Sequence, residues 1–220
     1  MYPVCLHIAG QLCTVIGGGA VAERKVLSLL EAEAQVRVIS PDVTEALADL
    51  SATGKIEWLP RGYCQGDLAG ALLVFAATDN RAVQAAVVDD AQQAGQLMNI
   101  ADAPEQCSFH VPALVRRGDL ALTVSTNGKS PALAAKIRKQ LAEDFGEEYA
   151  SLLKLTARIR EHILATYTDG NERKLLFQNI LQGDILLWIK NGHWEQLHNH
   201  LENLLGPDKA IDDLLDSIRN

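Results

Sequence analysis

The feature of the sequence that most constrains its fold is a short apolar run, residues 12–16, that leads directly into three glycines and a helical pattern. Residues 17–25 read GGGAVAERK, which fits the GxGxxA form of the dinucleotide-binding turn. In such a turn Gly17 permits the sharp bend, Gly19 lets the backbone approach a pyrophosphate, and Ala22 lets the helix pack closely on the strand. The first helical amides and the positive end of the helix dipole bind the phosphates. The pattern therefore predicts a nucleotide-binding turn, with an ordinary glycine-rich loop as the alternative.

The dinucleotide fingerprint also includes an acidic residue about 20 positions further on, which holds the ribose hydroxyls. Here the apolar run 36–39 ends in Ser40 and Pro41 instead. The nearest carboxylate is Asp42, which could equally cap the next helix. The choice between NAD and NADP therefore stays open at this point.

Short apolar runs alternate with helical periods through the first half of the chain. We predict strands at 12–16, 36–39, 56–59, 72–76 and 97–100, and helices at 20–32, 42–50 and 80–94. This alternation is typical of βαβ units, so we predict an α/β fold with a Rossmann-like parallel sheet. Thr78 and Asp79 follow the central strand, at the sheet edge where doubly wound folds bind ligands.

The pattern changes after residue 112. An apolar run at 120–124 precedes the sequence STNGKSP and a helix that continues to about residue 145. Ser130 is a good N-cap with proline at the first helical position, so this turn is either an anion-binding turn or simply a well-capped helix start. From residue 147 the chain is helical, with breaks near 169–170, 183 and 206–207. We predict three parts: a Rossmann domain at 1–112, a small α+β unit at 113–146 and an all-helical domain at 147–220.

Composition excludes several classes of function. With 220 residues, 48% of them hydrophobic, the chain can bury one full core and a smaller second one. A net charge of -8 argues against a nucleic-acid partner, because neutralising phosphates requires a basic surface. No apolar run is long enough to cross a bilayer, and the N-terminus lacks the features of a signal peptide. We therefore expect no membrane association and a cytoplasmic location.

The cysteines and histidines predict no metal site. The cysteines have no CxxC spacing, which indicates neither zinc binding nor a disulfide framework. We interpret them as small buried hydrophobic residues. The histidines near Trp194 do not share one helical face, so we expect a surface helix there. The residues concerned are Cys5, Cys13, Cys64, Cys107, His193, His198 and His200.

Asp102 is the candidate catalytic residue. It follows the last predicted parallel strand, so its carboxylate lies at the same sheet edge as the glycine turn. If it is shielded from water, it is a candidate general base near neutral pH. A turn-forming aspartate before Ala103-Pro104 explains it equally well, and His110 is a second candidate base.

Five motifs in order along the chain carry a family resemblance. They are Tyr2-Pro3-Val4, the glycine run 17–25, Ala76-Ala77-Thr78-Asp79, Asn99-Ile100-Ala101-Asp102 with Phe109 and Pro112, and Ser125-Thr126-Asn127-Gly128-Lys129-Ser130-Pro131. With these motifs the sequence resembles the precorrin-2 dehydrogenases. That family includes members fused at the front of siroheme synthase and members that also act as sirohydrochlorin ferrochelatases. Asn127 stands where the family often has glycine, and it tolerates the left-handed backbone that such a turn requires.

The resemblance implies oxidation of precorrin-2 to sirohydrochlorin with NAD as cofactor, and in some members insertion of ferrous iron as well. It assigns proton removal to Asp102, and it implies a homodimer built from residues 113–146. The glycine turn, the sheet edge and the resemblance together give the predicted NAD contacts: Gly17, Gly18, Gly19, Ala20, Val21, Pro41, Asp42, Thr78 and Asp79.

The implied tetrapyrrole carries many carboxylates, so its binding needs basic and hydroxyl donors. The candidates are Arg116, Arg117, Ser125, Thr126 and Lys129. An alternative of another class is a non-catalytic NAD-sensing module. Such modules usually carry the acidic ribose contact that Ser40 replaces, and they leave the Asp102 segment unexplained. A short-chain reductase is disfavoured because the sequence has no Tyr-x-x-x-Lys pair.

Overall fold

The structure is a computed structural model that describes residues 1–207 and 210–219, so residues 208, 209 and 220 of the predicted helical domain lie outside it. The chain divides into two compact units, Met1–Val111 and Pro112–Asn220. In the described residues, no helix combines the length and the apolar character that a membrane span requires.

The first unit is built on a parallel sheet. Its strands are β1 (Leu12–Ile16), β2 (Gln35–Ile39), β3 (Glu57–Leu59), β4 (Leu73–Ala76) and β5 (Leu97–Ile100), in the order β3-β2-β1-β4-β5. Each strand lies within a residue or so of its predicted position. The Rossmann-like parallel sheet is therefore confirmed.

Helices cover both faces of this sheet. They are α1 (Ala20–Glu31), α2 (Glu45–Ala52) and α3 (Arg81–Gln93). The buried stripe of α1 packs with Leu47 of α2 on one face, and Val87 and Ala91 of α3 pack on the other. Ala22 is completely buried in the α1 face, as close packing of the helix on the strands requires.

The start of α2 differs from the prediction. The helix begins at Glu45 rather than Asp42, and its N-cap is Thr44, whose hydroxyl accepts a hydrogen bond from Leu47 N at 3.4 Å. The same hydroxyl donates to Glu23 Oε2 of α1 at 2.6 Å. Thr44 N also donates to Gly18 O at 2.9 Å, so the chain before α2 is held against the glycine turn and cannot yet be helical.

The strand register aligns four chain segments at one edge. Ile16 pairs with Ile39 and with Ala76, and Ala76 pairs with Ile100. The hydrogen bonding between strands extends one residue past the ends of β4 and β5. Ala77 N donates to Ile16 O at 2.7 Å, and Ala101 N donates to Ala76 O at 2.9 Å. The helices that follow β1 and β4 pack in different core clusters on opposite faces of the sheet, so the chain leaves these two neighbouring strands in opposite directions and a crevice opens between their ends.

The second unit starts with an antiparallel hairpin, β6 (Ala113–Arg117) and β7 (Leu120–Val124), followed by α4 (Pro131–Asp144). Strand β6 was not predicted from the sequence. A signal for it was present, because Gly118-Asp119 is a two-residue hairpin turn and Gly118 has a φ of 55°. Ser130 caps α4 through Leu133 N at 3.3 Å, which confirms the predicted cap.

The remainder of the second unit is helical. Its helices are α5 (Glu148–Thr166), α6 (Gly170–Ile180), α7 (Ile185–Asn191), α8 (Trp194–Leu205) and α9 (Ala210–Arg219). They bury one apolar cluster, to which α5 contributes Leu155, Ile159 and Ile163 at intervals of one helical turn. The predicted breaks are present. A further break at Gly192, which has a φ of 69°, was not predicted.

Arg117 ties the hairpin to the end of α4. Its Nε donates to Phe145 O at 2.8 Å and its Nη2 donates to Ala142 O at 3.0 Å. These acceptors are carbonyls that the helix end leaves without a partner within the helix. The side chain is 19% exposed, and it also forms an ion pair with Glu147 at 3.4 Å. Its neighbour Arg116 is exposed. Arg117 therefore has a structural role that Arg116 lacks.

We expect R117A to lower the free energy of unfolding of the second unit by about 2 kcal/mol, because it removes two charge-assisted hydrogen bonds to partly buried carbonyls. R116A is the matched control and should change it by less than about 0.5 kcal/mol. The measurement is urea unfolding followed by tryptophan fluorescence in a W58F background, which leaves Trp188 and Trp194 of the second unit as probes. Equal destabilisation by both variants would contradict this role.

Candidate functional site

The three glycines after β1 differ in what surrounds them. Gly17 has a φ of 117°, and a Cβ at this position would lie 2.2 Å from the carbonyl oxygen of Ala77. A Cβ on Gly18 would lie 2.0 Å from the carbonyl oxygen of Asp42. A Cβ on Gly19 would meet no protein atom within 4 Å. The first two glycines let neighbouring backbone approach, and the third leaves open space.

The N-terminus of α1 faces this open space. Gly19 is the N-cap, and no side chain caps the first helical turn. Ala20 and Val21 line the cavity next to it. Uncapped amides at the positive end of a helix dipole are suited to binding a phosphate group.

The loop after β2 is fixed by hydrogen bonds to its backbone. Trp58 Nε1 donates to Ser40 O at 3.0 Å, and Ser40 Oγ donates to Asp42 O at 2.6 Å. Thr44 rather than Asp42 caps α2, so the Asp42 carboxylate is not engaged in the cap. Asp42 and Pro41 both line the cavity, where the adenosine-side contacts were predicted.

The loop after β4 forms a capped turn. Asn80 caps α3 by accepting from Ala82 N at 3.0 Å and from Val83 N at 3.2 Å. The buried Gln84 donates through Nε2 to Thr78 O at 2.6 Å. These bonds hold Thr78 and Asp79 at the mouth of the crevice, where both line the cavity.

Asp102 lies two residues beyond β5 in a left-handed backbone conformation, with a φ of 61°. It lines the same cavity as the glycine turn, and it is exposed. The first unit therefore does not by itself provide the shielding that the sequence analysis required of a general base.

A cavity of about 600 Å³ collects all of these residues. This volume lies within the range of about 300–1,000 Å³ that is typical of small-molecule sites. Its lining includes all the predicted NAD contacts and Asp102. The lining also includes residues that the sequence analysis did not single out as cofactor contacts: Ile16, Ile39, Ser40, Gly62, Tyr63, Ala77, Asn80, Val83 and Ala101.

Tyr63 is the most prominent of the residues that were missed. It lies in the irregular connection between β3 and β4, and its hydroxyl donates to Asp90 of α3. Burial, and after it this hydrogen bond, raise the pKa of the Tyr63 phenol. Arg61 secures the same loop through two hydrogen bonds of 2.7 Å to Asp67. No local sequence pattern predicts that Tyr63 lines the cavity, because its position depends on its contact with α3.

The five predicted substrate contacts lie in the second unit, around the hairpin and the turn before α4. Ser125 Oγ accepts from Asn127 N at 3.2 Å, and Thr126 Oγ1 accepts from Ser130 N at 3.1 Å. Asn127 has a φ of 53°, the left-handed geometry that the turn needs. Lys129 is exposed, like Arg116.

The charges at the cavity have one sign. Among the described residues its lining contains three carboxylates, Asp42, Asp79 and Asp102, and no lysine or arginine. Across residues 1–207 and 210–219, no three His, Cys, Asp or Glu side chains are grouped so that they could hold a metal ion.

Family models match most of the chain. One described as putative NAD(P)-binding matches residues 4–113. Models described as sirohaem biosynthesis protein central and sirohaem synthase dimerisation region match residues 117–143 and 148–205. The chain belongs to the family of NAD(P)-binding proteins of sirohaem biosynthesis that these three models describe. The dimerisation model lies beyond residues 113–146, where the resemblance put the dimer contact, so that location stays a prediction, as do the domain limits.

Individual relatives agree with this membership. A siroheme synthase from Methylobacillus flagellatus is 34% identical over 203 residues, which is 92% of this chain and 44% of that protein. One from Pseudomonas entomophila is 39% identical over 183 residues, which is 83% of this chain and 40% of that protein. The chain thus spans less than half the length of these relatives.

A solved structure titled SirC, precorrin-2 dehydrogenase, matches with a TM-score of 0.77 and 25% identity. The match covers 90% of this chain and 100% of the solved one. The family resemblance predicted from the sequence motifs is therefore confirmed.

We expect G18A to lower the stability of the protein and G19A to lower its affinity for NAD. In G18A the new Cβ overlaps the Asp42 carbonyl, so the melting temperature of the free protein should fall by several degrees. In G19A the free protein should melt as the wild type does, while NAD affinity falls about tenfold or more because the methyl group takes up phosphate space. Calorimetry and titration with NAD measure the two effects. G170A, in open space at the start of α6, is the control and should be neutral in both.

Because the charged residues of the described lining are all aspartates, we predict a preference for NAD over NADP of about tenfold or more: the 2′-phosphate of NADP would meet a carboxylate and no cation. D42N should narrow this ratio, whereas D49N, which removes an exposed carboxylate of α2 outside the cavity, should not. Titration of each variant with both dinucleotides checks this. An unchanged ratio in D42N would rule out Asp42 as the discriminating residue.

Proposed function

We propose that the chain is an NAD-dependent dehydrogenase that oxidises precorrin-2 to sirohydrochlorin on the route to siroheme. The observation that carries the proposal is the cavity that collects the glycine turn, the start of α1 and Asp102 at one sheet edge. The siroheme synthase relatives and the likeness to a precorrin-2 dehydrogenase support the choice of substrate. Bound NAD supplies the hydride acceptor, which no side chain can provide.

In this proposal the glycine turn and the amides of Ala20 and Val21 hold the pyrophosphate. Asp42 and Pro41 contact the adenosine side, and Thr78 and Asp79 contact the dinucleotide at the end of β4. Asp102 accepts the proton that precorrin-2 loses as its hydride leaves. Since Asp102 is exposed in the first unit, the bound cofactor and substrate must exclude water from it.

The second unit supplies donors for the carboxylates of the tetrapyrrole. Arg116 and Lys129 are exposed cations. The hydroxyls of Ser125 and Thr126 accept backbone hydrogen bonds, so each keeps an O–H hydrogen to donate. The guanidinium of Arg117 already donates to the end of α4, which favours Arg116 as the arginine that contacts substrate.

The proposed assembly is a homodimer, which the match to a sirohaem synthase dimerisation region supports. The cytoplasmic location expected from the sequence stays a prediction. Insertion of ferrous iron is a second reaction for the same site, in which Asp102 would remove the pyrrole protons. The proposal requires no protein metal centre for this, because iron is the substrate.

The test is anaerobic formation of NADH from NAD and enzymatically generated precorrin-2. We expect D102N and D102A to lower kcat by about 100-fold or more, because a positioned general base contributes about that much or more to the rate. NAD affinity should stay within about twofold, because Asp102 is not among the proposed dinucleotide contacts. E105Q removes an exposed carboxylate from the same loop and should leave kcat unchanged.

Full turnover by D102N would reject Asp102 as the base. Tight NAD binding by the wild type without turnover of precorrin-2 would reject the dehydrogenase and favour an NAD-sensing module. Ferrous iron is then added to authentic sirohydrochlorin. Formation of siroheme faster than the spontaneous rate, and slowed in D102N, would add the ferrochelatase activity.

A further inference from the structure

The backbone that carries Asp102 is held in an unusual conformation. Asp102 has a φ of 61°, and a short 3-10 turn at Pro104–Gln106 follows it. This left-handed region is uncommon for residues other than glycine, and although aspartate tolerates it better than most, neighbouring contacts help to fix it. The contacts that hold this turn therefore also determine where the Asp102 carboxylate lies.

Two backbone hydrogen bonds close the 3-10 turn, from Gln106 N to Ala103 O at 3.1 Å and from Cys107 N to Pro104 O at 3.3 Å. The thiol of Cys107 adds the side-chain contacts that join this turn to β5. Its sulfur accepts a hydrogen bond from Ile100 N at 3.1 Å. Its S–H can donate to either Ile100 O or Ala103 O, both at 3.4 Å. One half-buried side chain thus connects the last residue of β5, before Asp102, to the residue immediately after it.

Cys107 is also part of a segment that runs beside β5 and covers the lateral edge of the sheet. β5 is an edge strand, and Ser108 bonds to it through Met98, whose N donates to Ser108 Oγ at 2.7 Å. Ser108 N donates to Met98 O at 2.9 Å. These bonds satisfy the edge strand, but they do not involve the residues next to Asp102.

Beyond Ser108, the segment is anchored in the core. The Phe109 ring packs edge-on against Phe75 of β4, with ring centroids 5.4 Å apart. Asn99 Nδ2 donates to Phe109 O at 3.0 Å. Because the two residues that follow Cys107 are fixed in this way, its sulfur has a defined place from which to hold the Asp102 turn.

We propose that Cys107 is a positioning residue for Asp102: its thiol holds the left-handed turn that directs the carboxylate into the cofactor cavity. The inference rests on the proposed function, in which Asp102 is the base. Cys107 touches neither cofactor nor substrate in this role. It acts only through the backbone of residues 100–103.

The experiment compares C107A with S108A in the full chain. Both remove side-chain hydrogen bonds to β5, but only C107A releases the turn. We expect C107A to lower kcat for NADH formation by about tenfold to 100-fold, since a displacement of about 1 Å can cost this much. NAD affinity should stay unchanged, because the glycine turn is not touched. S108A should lower the melting temperature by a similar amount and keep its kcat.

A double variant separates positioning from stability. On a D102N background, C107A should cause no further loss of kcat, because the group that it positions is already gone. C107S keeps a donor and an acceptor at the same place and should recover most of the wild-type kcat. C5A, which changes an exposed cysteine, should behave as the wild type does. If C107A fails to fold, C107V fills a similar volume without a donor or acceptor and takes its place.

Three outcomes would overturn the inference: equal kcat losses in C107A and S108A, additive losses in the double variant, or unchanged kcat in C107A while D102N is inactive. Full turnover by D102N has another meaning, because it removes the proposed base and with it the proposed function. The two failures are therefore distinguishable in one set of measurements.

Discussion

The cavity at the carboxyl ends of the parallel strands depends on two backbone carbonyls that lie where a Cβ on Gly17 or Gly18 would be. Ala77 O occupies the space of a Cβ on Gly17, and Asp42 O occupies that of a Cβ on Gly18. The ends of β4 and β2 are thereby packed directly against the turn after β1. Backbone contacts alone therefore position three loops that are distant in sequence. The N-terminus of α1 faces the space between these loops.

The sequence predicted this part of the fold because each signal in it is local or periodic. Apolar runs gave the strands, and the carboxyl ends of parallel strands must share an edge. The start of α2 could not be predicted, because two local signals for its N-cap competed. Asp42 and Thr44 are both good N-cap residues. The bond from Thr44 N to Gly18 O, a tertiary contact, keeps the chain extended until Thr44.

The residues that were missed have roles that only the folded chain creates. Tyr63 belongs to an irregular connection, and it becomes a wall of the cavity through its bond to Asp90. The interpretation of the cysteines was wrong for Cys5 and Cys64, which are exposed. Cys13 is buried, and burial raises the pKa of its thiol. Cys107 is half-buried against the apolar core, as predicted in part, but it also forms hydrogen bonds, and its spacing in the sequence gives no sign of these bonds.

The contact between Gly18 and Asp42 has an evolutionary consequence. Gly18 touches the main-chain carbonyl of Asp42, and every amino acid has that atom. The side chain at position 42 is therefore free to vary while the phosphate-binding turn keeps its shape. If Asp42 discriminates between NAD and NADP as we propose, a single substitution at position 42 shifts that preference in a lineage with this architecture, and the glycine turn is not destabilised on the way.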